Sequence, residues 1–491
     1  MTSLPILMLL PLLFGAVLAL LAGLWRAASA QIIAVVSTAI ALVMSVVGLV
    51  TVLDTGPISH ELGGWPPPIG IEYILDPLSA YLAIIIALIG LLVTIYPVEA
   101  AFDLRPGRGT PVYSLVLLLL AGLMGVVLSG DLFHLFVFLE IYAISTYALV
   151  SLGGNRAVFA SFRYLLLGTL GSGLYLLGVG FVYFSTGTLN MADVASQLPD
   201  MAGSPTILGS LALIVIGMAL KMALFPLHIW LPDAHSYSPP GVAALLAAVQ
   251  VKAGAYALVR ILYDVYGPAY LGAEGLPVGV ALTWFGAAGI VVGSVLAIRQ
   301  TNIKRLLAYS TVAQLGYIGV GIGLGTPLAL VGALLHVLNH AVMKSGLFLV
   351  AGGIIQQTGL KSIPRFAGLG KRMPWTMAGF AFVAASMVGI PPTAGFFSKF
   401  YLVWASVDLG SWVLAVIIVG SSILTLTYFV KLFEQIFVRS PEEDVVDRAT
   451  DPGARILGTV GVLAALVVII GVGNAVIVSR VLMPVAERLV G

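Results

Sequence analysis

The chain is a succession of apolar runs, each about as long as a lipid bilayer is thick. Crossing the hydrocarbon core takes roughly 20 apolar residues in a helix. By that measure about 14 spans fall near residues 14, 42, 86, 120, 142, 172, 218, 251, 287, 314, 341, 390, 425 and 467. In lipid every backbone amide and carbonyl must be paired within the chain, so isolated runs of this kind have to be helices. The predicted fold is therefore an all-α polytopic membrane protein. The first run, SLPILMLLPLLFGAVLALLAGLW, lacks a basic start and leads straight into the second, so it reads as a span and not as a cleaved leader. ELGGWPPPIG and SPEEDVVDRATDP read as loops, and nothing between the spans is long enough for a soluble domain.

Charge distribution gives the expected orientation, because short inside loops collect Lys and Arg. With the N-terminus outside, the inside loops hold Arg26, Arg105, Arg108, Arg156, Arg163, Arg299, Lys304, Arg305, Lys361, Arg365, Lys371, Arg372, Arg439, Arg448 and Arg455, which is 15 of the 23 basic residues. Outside segments hold Arg260, Arg480 and Arg488. Both termini are thus expected outside.

Five lysines remain, and all fall within spans: Lys221, Lys252, Lys344, Lys399 and Lys431. They are accompanied by Glu140, Glu434, His228, His336 and His340. Each charge at mid-bilayer costs about 2.5–3.5 kcal/mol on insertion scales and tends to face a protein or water-filled interior. So many in one chain predict a buried polar path. The choice of lysine matters, since a lysine taken out of water can give up its proton whereas arginine keeps its own. A single lysine can also snorkel to an interface, and Lys431, near a helix end, fits that reading as well.

Spacing adds geometry. His336, His340 and Lys344 in ALLHVLNHAVMKSGLFLV are four residues apart, which puts them on one helix face at steps of about 6 Å. A zinc site is the competing reading of His at i and i+4, but no HExxH glutamate and no third ligand accompany the pair. Cysteine is absent, which excludes disulfides, thiol catalysis and Cys-based metal sites. No catalytic group, metal or cofactor is expected, and no nucleotide motif is present.

Two spans look interrupted. Pro226 and Pro232 fall in or at the end of the seventh, and Pro391 and Pro392 split the twelfth. Lys221 precedes the first break and Lys399 follows the second. Broken helices in corresponding places point to a transport site at the junction of inverted repeats. Proline is common in membrane helices, which explains one such break better than a matched pair.

The motifs GDLFHLFVFLEI, ALKMALFPLHIWLPDAHSYSPPGVAALLAA, NIKRLLAYSTVAQLGYIGVG, LLHVLNHAVMKSGLFL and PPTAGFFSKF together resemble the proton-translocating membrane subunits shared by respiratory complex I and the Mrp-type multisubunit cation/proton antiporters. The match runs from about residue 70 to 440. GDLFHLFVFLEI and GFFSKF look most like the Mrp D subunit, although His134 stands where that family has Asn. A D-like subunit of membrane-bound hydrogenases shares much of the signature.

The resemblance implies 14 helices with two inverted five-helix repeats, each containing one broken helix. Residues 1–111 would carry helices 1–3, residues 112–266 the first repeat, residues 267–440 the second, and residues 441–491 a loop and helix 14. It assigns Glu140 as the acid paired with Lys221, Lys252 as the central carrier, His336 as a link and Lys399 as the terminal lysine. His228, His340, Lys344, Lys431 and Glu434 are possible relays. The implied function is proton translocation in a hetero-oligomeric Na⁺ (or other monovalent cation)/proton antiporter of a bacterial plasma membrane, driven by the proton motive force. The alternatives are a pumping subunit of a complex I-like or hydrogenase complex, or a purely structural membrane anchor. A static Glu140–Lys221 pair that staples two helices is the structural counterpart of the coupled pair. Between Lys399 and either surface the sequence offers Ser398 and Thr393, and no acid is expected in the same helix, so the proton exit is expected at an interface with another membrane subunit.

Overall fold

The computed structural model describes residues 3–97, 110–272, 276–440, 446 and 448–491, so Arg105 and Arg108 lie outside the described residues. Thirteen helices among them are long and apolar enough to cross a membrane. They are α1 (Leu4–Trp25), α2 (Ala27–Thr55), α3 (Pro77–Ile95), α4 (Thr110–Leu128), α5 (Leu132–Ser151), α6 (Asn155–Thr186), α7 (Pro205–Met222), α8 (Pro240–Val265), α9 (Val278–Ile298), α10 (Ile303–Leu324), α11 (Pro327–Thr358), α14 (Trp412–Phe433, extended by a π-turn to Val438) and α15 (Ala454–Val472). The span expected near residue 390 consists of two shorter helices, α12 (Pro374–Val388) and α13 (Ala394–Asp408); contrary to expectation the helix of Lys399 does carry an acid, because it continues past the apolar run to end at Asp408. A short amphipathic helix, α16 (Met483–Val490), ends the chain.

Polar side chains fix several helix starts. Asp76 and Ser79 form a reciprocal capping box at α3, each backbone N–H donating to the other's side chain at 2.8 Å. Asp131 accepts from the His134 amide at α5 (2.7 Å), and Asn302 accepts from the amides of Lys304 and Arg305 at α10. Between α2 and α3 stands a two-stranded antiparallel hairpin, β1 (Ile58–Glu61) with β2 (Glu72–Leu75), in register Ile58 to Leu75. ELGGWPPPIG runs through the tip of that hairpin. The alternation there is too short to stand out beside runs of 20 apolar residues.

Without a hydrophobic drive between helices in lipid, close packing depends on small residues. At α9 against α10, a Cβ on Gly316 would collide with the Gly286 carbonyl oxygen, so the two backbones touch directly. α8 and α11 pack on one another at the centre, and the 18-residue core of each is wholly buried, whereas only 33% of that of α2 is. α8 also touches α3, α4 and α7, and α11 touches α10, α12, α13 and α15. The helices carrying Lys252 and the His336–His340–Lys344 series are therefore those that lipid cannot reach.

Candidate functional site

The seventh span breaks after Lys221. α7 ends at Met222, Ala223 takes a left-handed conformation (φ 59°), and the chain resumes as a short helix at Leu231–Tyr237. Lys221 sits in the last turn of α7, where a cation complements the carbonyl ends. Its ammonium is 3.5 Å from Glu140 Oε1 on α5 and 5.7 Å above the Tyr142 ring. Ser172 of α6 donates to the same Glu140 oxygen. The lysine side chain is 1% exposed and the glutamate 27%, so the acid is the accessible member of the pair. Trp230, beyond the break, donates its indole N–H to the Leu220 carbonyl (3.0 Å) and stacks on Tyr164 at 4.1 Å, which closes the end of α7.

α8 adjoins this break. A Cβ on Gly254 would lie 2.9 Å from the Met222 amide, and Lys252 precedes that contact by two residues. Lys252 follows a π-turn, Leu246–Gln250, and its ammonium donates to the Ala247 carbonyl freed there. Around it lie Lys344 and the imidazoles of His235, His336 and His340, each within electrostatic reach. Two ammonium groups and three imidazoles thus share one buried interior. Lys344 is anchored on α10 by the Leu307 carbonyl (2.8 Å) and the Ser310 hydroxyl.

Along α11 the His336 and His340 rings lie nearly parallel, 13° apart in plane with centroids 5.9 Å apart. His336 Nδ1 is 2.9 Å from the Ser398 hydroxyl on α13, and its ring lies 5.1 Å from that of Tyr317. Lys399 comes next in the chain. Its ammonium lies 5.1 Å over the Tyr317 ring and donates to the carbonyls of Met387 (3.0 Å) and Val388 (3.1 Å) and to Ser422 (3.2 Å). Those two carbonyls are the open end of α12, which stops at Gly389 in a left-handed conformation (φ 95°). The second break is thus capped by its own lysine.

Several ring nitrogens on this path are buried without a protein partner among the described residues: both of His235, both of His340, and Nε2 of His336. Buried imidazoles of this kind take water as their partner. His228 lies in the first break, stacked on Phe225 at 5.3 Å. Lys431 and Glu434 stand apart from this centre, Lys431 exposed on α14 and Glu434 paired with Arg439 at 2.6 Å. Two further groups belong to the centre that composition and spacing do not single out. His235 follows the first break, and Lys304, expected in an inside loop, is 4% exposed and donates to the Ser238 carbonyl. Among the described residues no cluster of three His, Asp or Glu could hold a metal ion.

A second charged group closes the opposite end of α8. Arg260 donates to both oxygens of Asp76 (2.8 Å each) and to Asp264 (2.6 Å), and Arg488 of α16 reaches Asp76 at 3.0 Å. Burial alone would raise the Asp76 carboxyl, but the attraction and hydrogen bonds of Arg260, the Ser79 amide and the charge of Arg488 outweigh it and hold it well below the usual carboxylate range. On β2 nearby, burial pushes the Tyr73 hydroxyl up to about 12.

Residues 129–425 match the family described as NADH:quinone oxidoreductase/Mrp antiporter, TM. The chain is 45% identical over 446 residues to the N subunit of the NADH-quinone oxidoreductase of Desulforudis audaxviator, covering 88% of each chain. It is 33% identical over 412 residues to the D subunit of the Na⁺/H⁺ antiporter of Bacillus subtilis, covering 83% of this chain and 81% of that one. It also superposes on a chain of the membrane-bound sulfane sulfur reductase, an archaeal respiratory membrane complex, with a TM-score of 0.90, 31% identity and coverage of 99% and 98%.

Proposed function

The chain belongs to the NADH:quinone oxidoreductase/Mrp antiporter transmembrane family, and from that premise we propose that it carries protons across the membrane along the residues running from Glu140 to Lys399. One observation supports this reading above the others. Lys221, Lys252, His340, His336 and Lys399 come from four spans, are all buried, and meet at the two helix breaks and the α8–α11 contact. A structural anchor has no use for so many costly groups in one place.

In this reading Glu140, partly exposed on α5, gates Lys221. While the two are close, the Glu140 carboxylate holds the ammonium of Lys221 in place; when they part, Lys221 passes its proton toward α8. Lys252, His340 and His336 pass the charge on through water at the unpartnered ring nitrogens, and Lys399 receives it. Residues 112–266 and 267–440 then act as two inverted repeats, a proposal supported by the left-handed stop at Ala223 in the seventh span and at Gly389 in the twelfth.

The driving reaction follows from the partners. As an Mrp-like subunit in a bacterial plasma membrane, the chain would bring protons in as Na⁺ or another monovalent cation leaves. The 45% match to an oxidoreductase subunit favours a second reading, in which electron transfer in neighbouring subunits drives the same path. Identifying the subunits that copurify with the chain, and measuring ΔpH in everted vesicles after adding Na⁺ or an electron donor, decides between them. Unchanged ΔpH responses to both after Lys221→Ala and Lys252→Ala would exclude proton conduction by this chain.

A further inference from the structure

At the end of the bundle where α5 gives way to α6 and where α10 begins, a cleft of 720 Å³ opens beside Tyr237. Arg156, Arg305 and Lys361 line it, together with Asn155 and Asn302, and the lining includes no carboxylate. Arg305 shares Asp233 with Arg163 at 3.6 and 2.9 Å. Arg156 and Lys361 have no side-chain partner among the described residues. Two unpaired cations converging on a polar cleft repel each other unless an anion lies between them.

The position says which anion. α6 and α10 begin at Asn155 and Ile303, so the cleft lies at the depth where span gives way to water. From Arg156 an apolar strip runs down the outside of α6 through Val158, Phe159, Phe162, Leu166 and Leu170, each at least half exposed. Cations at the boundary above an exposed apolar strip match a molecule with an anionic head and hydrocarbon tails. We propose that this cleft binds the phosphate headgroup of an anionic phospholipid, whose chains lie along α6. The site stands on charge and depth, and holds whether or not the chain conducts protons.

The absence of cysteine allows a local probe. Val158→Cys, on the strip and outside the cleft lining, is labelled with a fluorophore in the full chain, reconstituted into phosphatidylcholine nanodiscs. Phosphatidylglycerol or phosphatidylcholine carrying brominated chains is then titrated in. Phosphatidylglycerol should quench at about ten-fold or more lower membrane fraction than phosphatidylcholine, and Arg156→Gln with Lys361→Gln should abolish that preference. Both side chains are exposed, so the double variant should keep its melting temperature. Equal quenching by the two lipids, or a preference that survives the double variant, overturns the proposal. Equally, millimolar inorganic phosphate that removes the preference shows a free-anion site, and a photo-crosslinker at Lys361 that captures a neighbouring subunit in the native complex assigns the cleft to protein. Either result also overturns it.

Discussion

His336 Nδ1 and the Ser398 hydroxyl are 2.9 Å apart, and this contact ties the centre of the unbroken helix α11 to the residue just before Lys399 on the broken span. The hydroxyl orients the imidazole and leaves its Nε2 without a protein partner among the described residues. Ser398→Ala removes one hydrogen bond, worth about 1 kcal/mol, and should slow proton transfer by roughly five-fold. His336→Ala should slow it further without abolishing it, since water can fill the space. Proton flux in reconstituted vesicles checks both; a His336→Ala rate equal to the parent's removes His336 from the path.

Glu140→Ala and Lys221→Ala should each abolish cation- or donor-driven ΔpH while the complex still assembles. The helices remain apolar enough to span; the acid left by Lys221→Ala is partly exposed, and the ammonium left by Glu140→Ala keeps the Tyr142 ring beneath it. Full activity in Glu140→Ala would reduce the pair to a staple between α5 and α7.

Lys252→Arg keeps the charge but gives up the proton exchange. It should fail nearly as completely as Lys252→Ala, even though arginine could still donate to the Ala247 carbonyl. Retention of more than about half the parent's flux in Lys252→Arg points to a fixed cation and not a carrier.

Arg260→Leu removes the buried partner of Asp76 and leaves it only the half-exposed Arg488 and the Ser79 amide, and breaking a buried pair on one side costs up to about 3–5 kcal/mol. The pH dependence has a definite sign. In the parent the folded carboxyl lies below its unfolded value, so its contribution is complete above the usual carboxylate range and is lost only as pH falls through the lower folded value. Melting of the parent should therefore be insensitive to this group between about pH 5 and 8. The variant should recover part of its deficit on acidification, as Asp76 takes up a proton. A deficit that stays constant down to pH 4 contradicts this account.

Lys399→Ala should abolish flux without disassembling the complex, and the chain reconstituted alone should not exchange cations for protons. Na⁺-dependent dissipation of an imposed pH gradient by the single chain would place the whole path, exit included, within one subunit.

Much of this architecture was legible in the sequence because bilayer thickness sets the length of the runs. The five intramembrane lysines announced themselves by cost, and prolines marked the two breaks. What stayed hidden is tertiary. His235 sits in LPDAHSYSPPG, where prolines and polar residues interrupt the apolar pattern, and only the packing of Trp230 and Phe348 around its ring makes that stretch an interior. Lys304, beside Arg305 and after a polar QTN, counted as a loop cation until the Ser238 carbonyl and the start of α8 covered it. The union of Asp76 with Arg260 and Arg488 joins residues 184 and 412 positions apart, a separation no local pattern encodes. Lys431 and Glu434, by contrast, have the right composition for a relay but lie on the outer side of α14, because span membership does not reveal which face a side chain takes.

The lysine that caps α12 carries a thermodynamic obligation. Because the ammonium of Lys399 holds the carbonyls of Met387 and Val388 across the gap between α12 and α13, protonation and the closeness of the two half-helices are linked quantities. Whatever factor separating them changes in the proton affinity of Lys399, protonation changes by the same factor in the ease of separating them. A neighbouring subunit pressing on the exposed side chains of Phe400 and Trp404 would thus load or unload a proton without touching the lysine, and a proton arriving would push back on that neighbour with equal work.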